Sequence, residues 1–401
     1  MSEAPPRRFT KSFTQQEPIP EAGITRAMEV LQSGRLHRYN TDPGEISEAS
    51  KLETAYAAYQ GADYCVACTS GGYALHIAMR SAGLKPGDKV LANAYTLAPV
   101  PGAIHAAGGV PVLVDIDADY HIDLDDLKTK AEASGARYLL LSHMRGHIGD
   151  MAAIVAICEQ FGIIMIEDCA HTMGALWDGT RSGNFGAVAC FSAQTYKHIN
   201  AGEGGLLTTN DPELAARAVV HSGSYMLYER HGARPPEDVF QKVRLETANF
   251  SGRMDNLRAA ILNAQLGDLD HQVTRWNARY RVLEAGLRNV PGLHLPERDK
   301  REHYVGSSIQ FFAEGLPRDQ VPVLVASCLD RGVELKWFGD DEPRGFTSRY
   351  DSWHYLGDQP ALPKTLAVLS KTCDMRVPLT FDEDDCRLIV EIIAEEMANL
   401  T

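Results

Sequence analysis

The chain has 401 residues, 53 acidic and 39 basic side chains for a formal net charge of −14, and 44% hydrophobic residues. That length exceeds what one hydrophobic core usually organises, so a large domain with a smaller companion is expected. The acidity opposes a nucleic-acid role, which needs a basic face, and no apolar stretch reaches the roughly 20 residues of a membrane span.

The opening residues, MSEAPPRRFTKSFTQQ, contain no apolar run of the kind a secretory leader carries and read as a mobile arm. Cys65, Cys68, Cys158, Cys169, Cys190, Cys328, Cys373 and Cys386 are scattered rather than spaced as a disulfide framework, which points to reduced thiols and a cytoplasmic setting. Cys65 and Cys68 form a lone CxxC without the two further ligands that zinc would need, so no metal is expected.

From about residue 50 to 265, helix-period stretches alternate with short apolar runs, the sign of an α/β domain with a largely parallel sheet. Strands are predicted at Lys89–Ala94, Val110–Ile116, Tyr138–His143 and Ile163–Ile166. A helix is predicted over Ala152–Phe161, ended by Gly162. A long amphipathic helix, Asp268–Leu287, reads as the link to a second unit. That unit holds a strand at Ser308–Phe312, a helix around Pro322–Asp330 and a closing helix from Asp382 to Met397. The expected division is an N-terminal arm over 1–27, a large α/β domain over 28–265 and a small α+β domain over 266–401.

Three segments carry candidate chemistry. In Ile163–His171 an apolar run ends in Glu167-Asp168, which puts Asp168 at the carboxyl end of a buried strand, the edge where open α/β sheets bind ligands; a helix cap is the alternative. In Phe191–Gly205, Lys197 stands in a nearly uncharged stretch before the Gly-rich turn Gly202–Gly205. A desolvated lysine there makes a nucleophilic amine suited to Schiff-base chemistry, the alternative being an ordinary solvated loop lysine. In Thr69–His76, Gly71 and Gly72 precede a helical run whose free N–H groups suit a phosphate, although a tight turn without ligand would read the same.

Together these segments resemble the DegT/DnrJ/EryC1/StrS family of fold-type-I pyridoxal-phosphate enzymes, best known as sugar aminotransferases. Further matches are Phe250-Ser251-Gly252-Arg253-Met254, His143–Met151, Gly109–Asp115 and Val377-Pro378-Leu379, so the resemblance runs along nearly the whole chain. It implies pyridoxal 5′-phosphate held as an aldimine on Lys197, with Asp168 on the pyridine nitrogen and His171 packed near the ring. Ser192 and the N–H groups of Gly71 and Gly72 would hold the phosphate, Gln194 would contact the cofactor, and Ser251 would reach the phosphate of a neighbouring subunit in a homodimer. The implied reaction takes nitrogen from Glu or Gln to form pyridoxamine phosphate, then passes it to a keto-sugar, keto-cyclitol or related carbonyl.

The chain departs from the family pattern in four places. Leu97, with Tyr95 nearby, stands where an aromatic residue usually stacks on the ring. Gly72 replaces a common Thr or Ser, Ser251 replaces a common Asn, and Lys336–Phe346 replaces a Tyr-Pro-His type segment. A dehydratase of the same fold would carry His in place of Lys197, and a non-catalytic regulatory homologue would need neither Lys197 nor Asp168.

Overall fold

The computed structural model describes residues 7–401. Its centre is a seven-stranded sheet. In chain order the strands are β1 (Tyr64–Cys68), β2 (Lys89–Asn93), β3 (Val110–Val114), β4 (Tyr138–Ser142) and β5 (Ile164–Asp168). A two-strand ribbon, β6 (Leu176–Trp177) and β7 (Thr180–Arg181), intervenes before β8 (Val188–Ser192) and β9 (Gly205–Thr209). The spatial order is β1-β9-β8-β5-β4-β2-β3, with β8 through β3 parallel and β9 alone reversed, paired antiparallel to β8 on one side and to the edge strand β1 on the other. The mostly parallel α/β sheet expected from the sequence is therefore present. The predicted strands fall in place, and β5 runs on through Glu167 and Asp168.

Parallel strands covered on both faces read as continuous apolar runs, and β4 shows why. Leu139 and Leu141 enter one core with Met165, Phe191 and Ile154 of the Met151–Phe161 helix, while Leu140 enters the other with Val90, Ile166 and the Gly71–Ser81 helix. The Met151–Phe161 helix begins on Asp150, which accepts the Ala153 N–H, and ends on Gly162 in the left-handed region.

A third core lies on a small antiparallel sheet. After β10 (Glu302–His303), which extends the ribbon, β11 (Ser308–Phe312), β12 (Lys336–Trp337) and β13 (Thr372–Arg376) form the order β11-β13-β12. The helices Leu269–Leu287 and Glu383–Leu400 pack together over it.

The expectation of a mobile arm does not hold for residues 7–16. Phe9 and Phe13 are buried in this third core, with ring centroids 4.9 Å from Phe381, and the Phe9 N–H donates to the Arg331 carbonyl at 2.8 Å. Arg7 and Lys11 pair with Glu391, Glu395 and Asp385 of the last helix. Charge and proline suggested solvent; two phenylalanines four residues apart decide the packing. Phe13→Ala should lower stability by about 3 kcal/mol in chemical denaturation, whereas a change below about 0.5 kcal/mol would restore the free arm.

Candidate active site

The carboxyl edge of the central sheet brings polar side chains to one level. Ser142 lies opposite Asp168 in the pairing of β4 with β5, and Ser192 ends β8 opposite Gly205 of β9. Strand alternation sends the adjacent carboxylates of Glu167 and Asp168 to opposite faces. Glu167 accepts the N–H groups of Gly183, Phe185 and Gly186 at 2.7–3.0 Å and lies 3.0 Å from His143 Nε2, so it anchors a loop. Asp168 faces a cavity of about 550 Å³.

There the Asp168 carboxylate accepts the Ser142 hydroxyl at 2.9 Å and the Ala170 N–H at 3.2 Å. Ser142 is itself held by the Thr96 hydroxyl at 2.8 Å and by Asn93, which bonds its N–H and carbonyl at 2.9 and 3.1 Å. No cation of the described residues lies within 4.0 Å of Asp168, and burial raises its pKa despite these hydrogen bonds and the more distant charge of Lys197.

Lys197 enters the same cavity from the loop between β8 and β9. That loop is closed by Ala193 and Thr195, whose N–H groups donate to the Gly204 and Gly202 carbonyls at 2.9 and 3.1 Å, and by the Lys197 N–H on Gln194 at 2.8 Å. The Lys197 Nζ sits 3.0 Å from His171 Nε2. Burial, reinforced by the positive charges of Arg145 and Arg376 and opposed by Asp168, pulls its pKa down to about 7. His171 is buried and pushed toward its neutral form, first by desolvation and then by Lys197. His198 lies outside the cavity, 3.1 Å from the Ser307 hydroxyl and edge-on to Trp276.

Opposite, the Gly71–Ser81 helix points its N-terminus into the cavity through Ser70, Gly71 and Gly72. The close approach requires glycine: a Cβ on Gly205 would stand 2.1 Å from the Ser70 carbonyl oxygen, and one on Gly71 would stand 2.8 Å from the Ser192 Cβ. A Cβ on Gly72 would meet only Pro99 at 3.7 Å, so the departure there is not steric.

Lys197, Asp168, His171, Ser192, Gln194, Gly71 and Gly72 all line this one cavity. Ser251 does not; it is exposed and accepts from Arg253 at 3.3 Å. Leu97 lines the cavity, whereas Tyr95 is buried elsewhere between Tyr120 and Phe338. Phe346, the last residue of the Lys336–Phe346 segment, lines it too, as do Ser142, Met144 and Glu203, which were not singled out in the sequence. Only the strand register could have found Ser142, and no local pattern marks the others.

A lysine with this environment should titrate near neutrality. Competitive acetylation of the cofactor-free protein, read by peptide mass, should show Lys197 labelling rise through about pH 7, while surface lysines rise near 10. Asp168→Asn removes the one charge that favours the ammonium and should move that midpoint lower. A midpoint near 10 would show Lys197 to be an ordinary solvated lysine.

Residues 19–393 match the family model described as the DegT/DnrJ/EryC1/StrS aminotransferase family. A pleiotropic regulatory protein of Geobacillus stearothermophilus is 35% identical over 233 residues, 58% of this chain and 58% of that protein, so the match spans under two thirds of that relative. The dTDP-3-amino-3,4,6-trideoxy-alpha-D-glucose transaminase of Streptomyces venezuelae is 36% identical over 282 residues, 69% of this chain and 67% of its own length. The crystal structure of S. venezuelae DesV in complex with a ketimine intermediate superposes with a TM-score of 0.78 at 28% identity, covering 94% of both chains. The chain belongs to the DegT/DnrJ/EryC1/StrS aminotransferase family.

Proposed function

We propose that this chain binds pyridoxal 5′-phosphate through Lys197 and moves an amino group from an amino acid, Glu or Gln, to the carbonyl of a sugar, a cyclitol or a related ketone. Enzymes of this family use that cofactor in general. The observation that carries the reading is one cavity holding a desolvated lysine amine, a buried carboxylate without a cation contact, and an open helix N-terminus. Those three features fit a group that presents a carbonyl, a basic ring nitrogen and a phosphate.

When bound, the cofactor would supply a carbonyl that exchanges with amines and a ring that withdraws electrons from the neighbouring substrate carbon. Asp168 would hold a proton on the ring nitrogen, since an opposite charge a few ångströms away favours the charged form. Ser142, Thr96 and Asn93 fix the carboxylate for that contact. Lys197 would bind the carbonyl and, once displaced by substrate, carry a proton at Nζ to and from the reacting carbon; a pKa near 7 suits both directions. His171 would orient the lysine, and Ser192, Gln194 and the Gly71 and Gly72 N–H groups would hold the phosphate.

The domain division at about residue 266 and a homodimer with shared sites belong to the same proposal. Ser251 lies beside Phe250 and Tyr225, and those two together with Leu245 and Met226 leave large apolar side chains in solvent, a surface suited to a second subunit. No helix among the described residues is long and apolar enough to cross a membrane, and the eight thiols are free and buried, which fits a cytoplasmic enzyme.

Borohydride reduction of the purified yellow protein, followed by peptide mapping, should place a pyridoxyl label on Lys197, and a label on another lysine would refute the assignment. Glu, Gln and Ala, added separately, should bleach the cofactor absorbance to different extents, and the aminated protein can then be screened against ketones. Asp168→Asn should keep the cofactor yet react with the amino donor at least about a hundredfold more slowly in stopped flow. Wild-type speed in that variant would make Asp168 a structural residue only.

A further inference from the structure

Between β12 and β13 the chain does not turn directly from one strand to the next. Residues 338–371 cross onto the large domain, where two anchors hold them. Tyr350, Trp353 and Leu362 are buried in the core that contains Val100 and Ala103 of the Pro99–Ala106 helix, and the Leu362 N–H donates to the Tyr350 hydroxyl at 2.9 Å. The Thr365 N–H donates to Asp115, just past β3, at 2.6 Å. On the small-domain side Arg318 and Arg349 donate to the Gly339 carbonyl at 2.8 and 3.2 Å, and both pair with Asp341. The span is therefore tied to both domains, and its middle, Gly345, Phe346 and Ser348, stands in the wall of the main cavity.

That side of the cavity is apolar. Asp168, Lys197, His171, Ser192 and Gln194 belong to the proposed cofactor contacts, while Ser142 is engaged with Asp168 and Ser70 accepts the Tyr73 N–H. Beyond them the cavity is faced by Pro99, Val100, Met144 and Phe346, and the polar side chains left are Ser348 and Glu203. Arg145 and Arg376 open on a smaller recess past Lys197 and not on this wall. A nucleotide diphosphate would meet here no cation of this wall, only the charge of Glu203. A polyhydroxylated ring would exchange water for walls that return few hydrogen bonds.

Phe346 leaves 47% of its surface in solvent, although Tyr350 and Trp353 a few residues on are buried. An aromatic ring held half-exposed at the mouth of an apolar-walled cavity gains from being covered by hydrocarbon. The surface around Ser251, proposed above to complete a neighbouring subunit's site, is of the same kind, with Tyr225, Met226 and Phe250 exposed. Arg253 beside them donates to the Gly223 carbonyl at 2.9 Å and lies over the Tyr225 ring.

We propose that Phe346, held at the cavity mouth by this span, selects the acceptor, and that the acceptor is a sparsely hydroxylated ketone with a hydrocarbon face and no nucleotide. The proposal rests on the aminotransfer reading above and names the acceptor class within it. The hydrocarbon face lies against Val100, Met144 and Phe346, with the carbonyl toward Lys197.

In protein loaded with cofactor and aminated by its donor, single-turnover rates with cyclohexanone, 4-methylcyclohexanone and 4-propylcyclohexanone should rise by about tenfold or more along the series. The hydroxylated counterpart scyllo-inosose should react more slowly than 4-propylcyclohexanone, and millimolar thymidine or guanosine diphosphate should not slow the reaction. Phe346→Ala should cut the rise to about threefold or less, and Phe346→Leu should keep most of it. A flat series in the wild type, faster reaction of the inosose, competition by either diphosphate, or an unchanged rise in Phe346→Ala would overturn the proposal.

Calorimetry with 4-propylcyclohexanol, which cannot be aminated, reads the wall without the reaction. The alcohol should bind with a negative heat-capacity change and bind Phe346→Ala at least about fivefold more weakly. No binding to the wild type would overturn the proposal. Binding to a protein that takes up no pyridoxal phosphate would support the apolar wall while rejecting the cofactor reading.

Discussion

A carboxylate fully inside a protein is costly unless something stabilises its charge, and Asp168 has only two hydrogen bonds with which to do so. Much of the site can be understood as the frame that keeps this group in place. The parallel register of β4 and β5 sets Ser142 beside it, Asn93 ties the ends of β2 and β4 together, and Thr96 orients the serine. Its neighbour Glu167 is more deeply buried and takes three backbone N–H groups, which is how a structural carboxylate is satisfied. The contrast between two consecutive acids separates architecture from chemistry. A cationic ring nitrogen would complete Asp168 in a way that no side chain of the fold does.

The same desolvation acts on the opposite charge at Lys197. A buried ammonium is disfavoured, and Arg145 and Arg376 disfavour it further, so with a pKa of about 7 a large share of the amine is unprotonated near neutral pH, the form that attacks a carbonyl. The two arginines thereby have a double consequence: they lower the lysine's basicity and present positive charge to whatever approaches it. A regulatory homologue without catalysis would gain nothing from either arrangement.

Much of this was legible in the sequence because the informative features are local. Four apolar residues ending in an acid mark a buried strand and its carboxyl edge, a lysine before Gly202–Gly205 marks a desolvated amine, and Ser70-Gly71-Gly72 marks an open helix N-terminus. Contacts fixed by register or by long-range packing were not legible. Ser142 acquires its role only when β4 is laid against β5, and Arg376 becomes a neighbour of Lys197 only when the small sheet docks on the large domain. Residues 7–16 misled for a different reason: their charges suggested solvent, while Phe9 and Phe13 lacked enough surrounding apolar sequence to reveal a docked segment. Leu97 and Tyr95 could be told apart only by where β2 hands the chain over to the following helix.

The proposed pairing of Asp168 with a protonated ring nitrogen is the contact on which the assignment of the whole cavity turns. Nuclear magnetic resonance of protein loaded with pyridoxal phosphate labelled with ¹⁵N at the ring position observes that proton directly. At neutral pH the wild-type nitrogen should resonate as a pyridinium and change to an unprotonated pyridine in Asp168→Asn. An unprotonated signal in the wild type would mean that Asp168 does not meet the ring and that the cavity holds the cofactor in another way, or not at all.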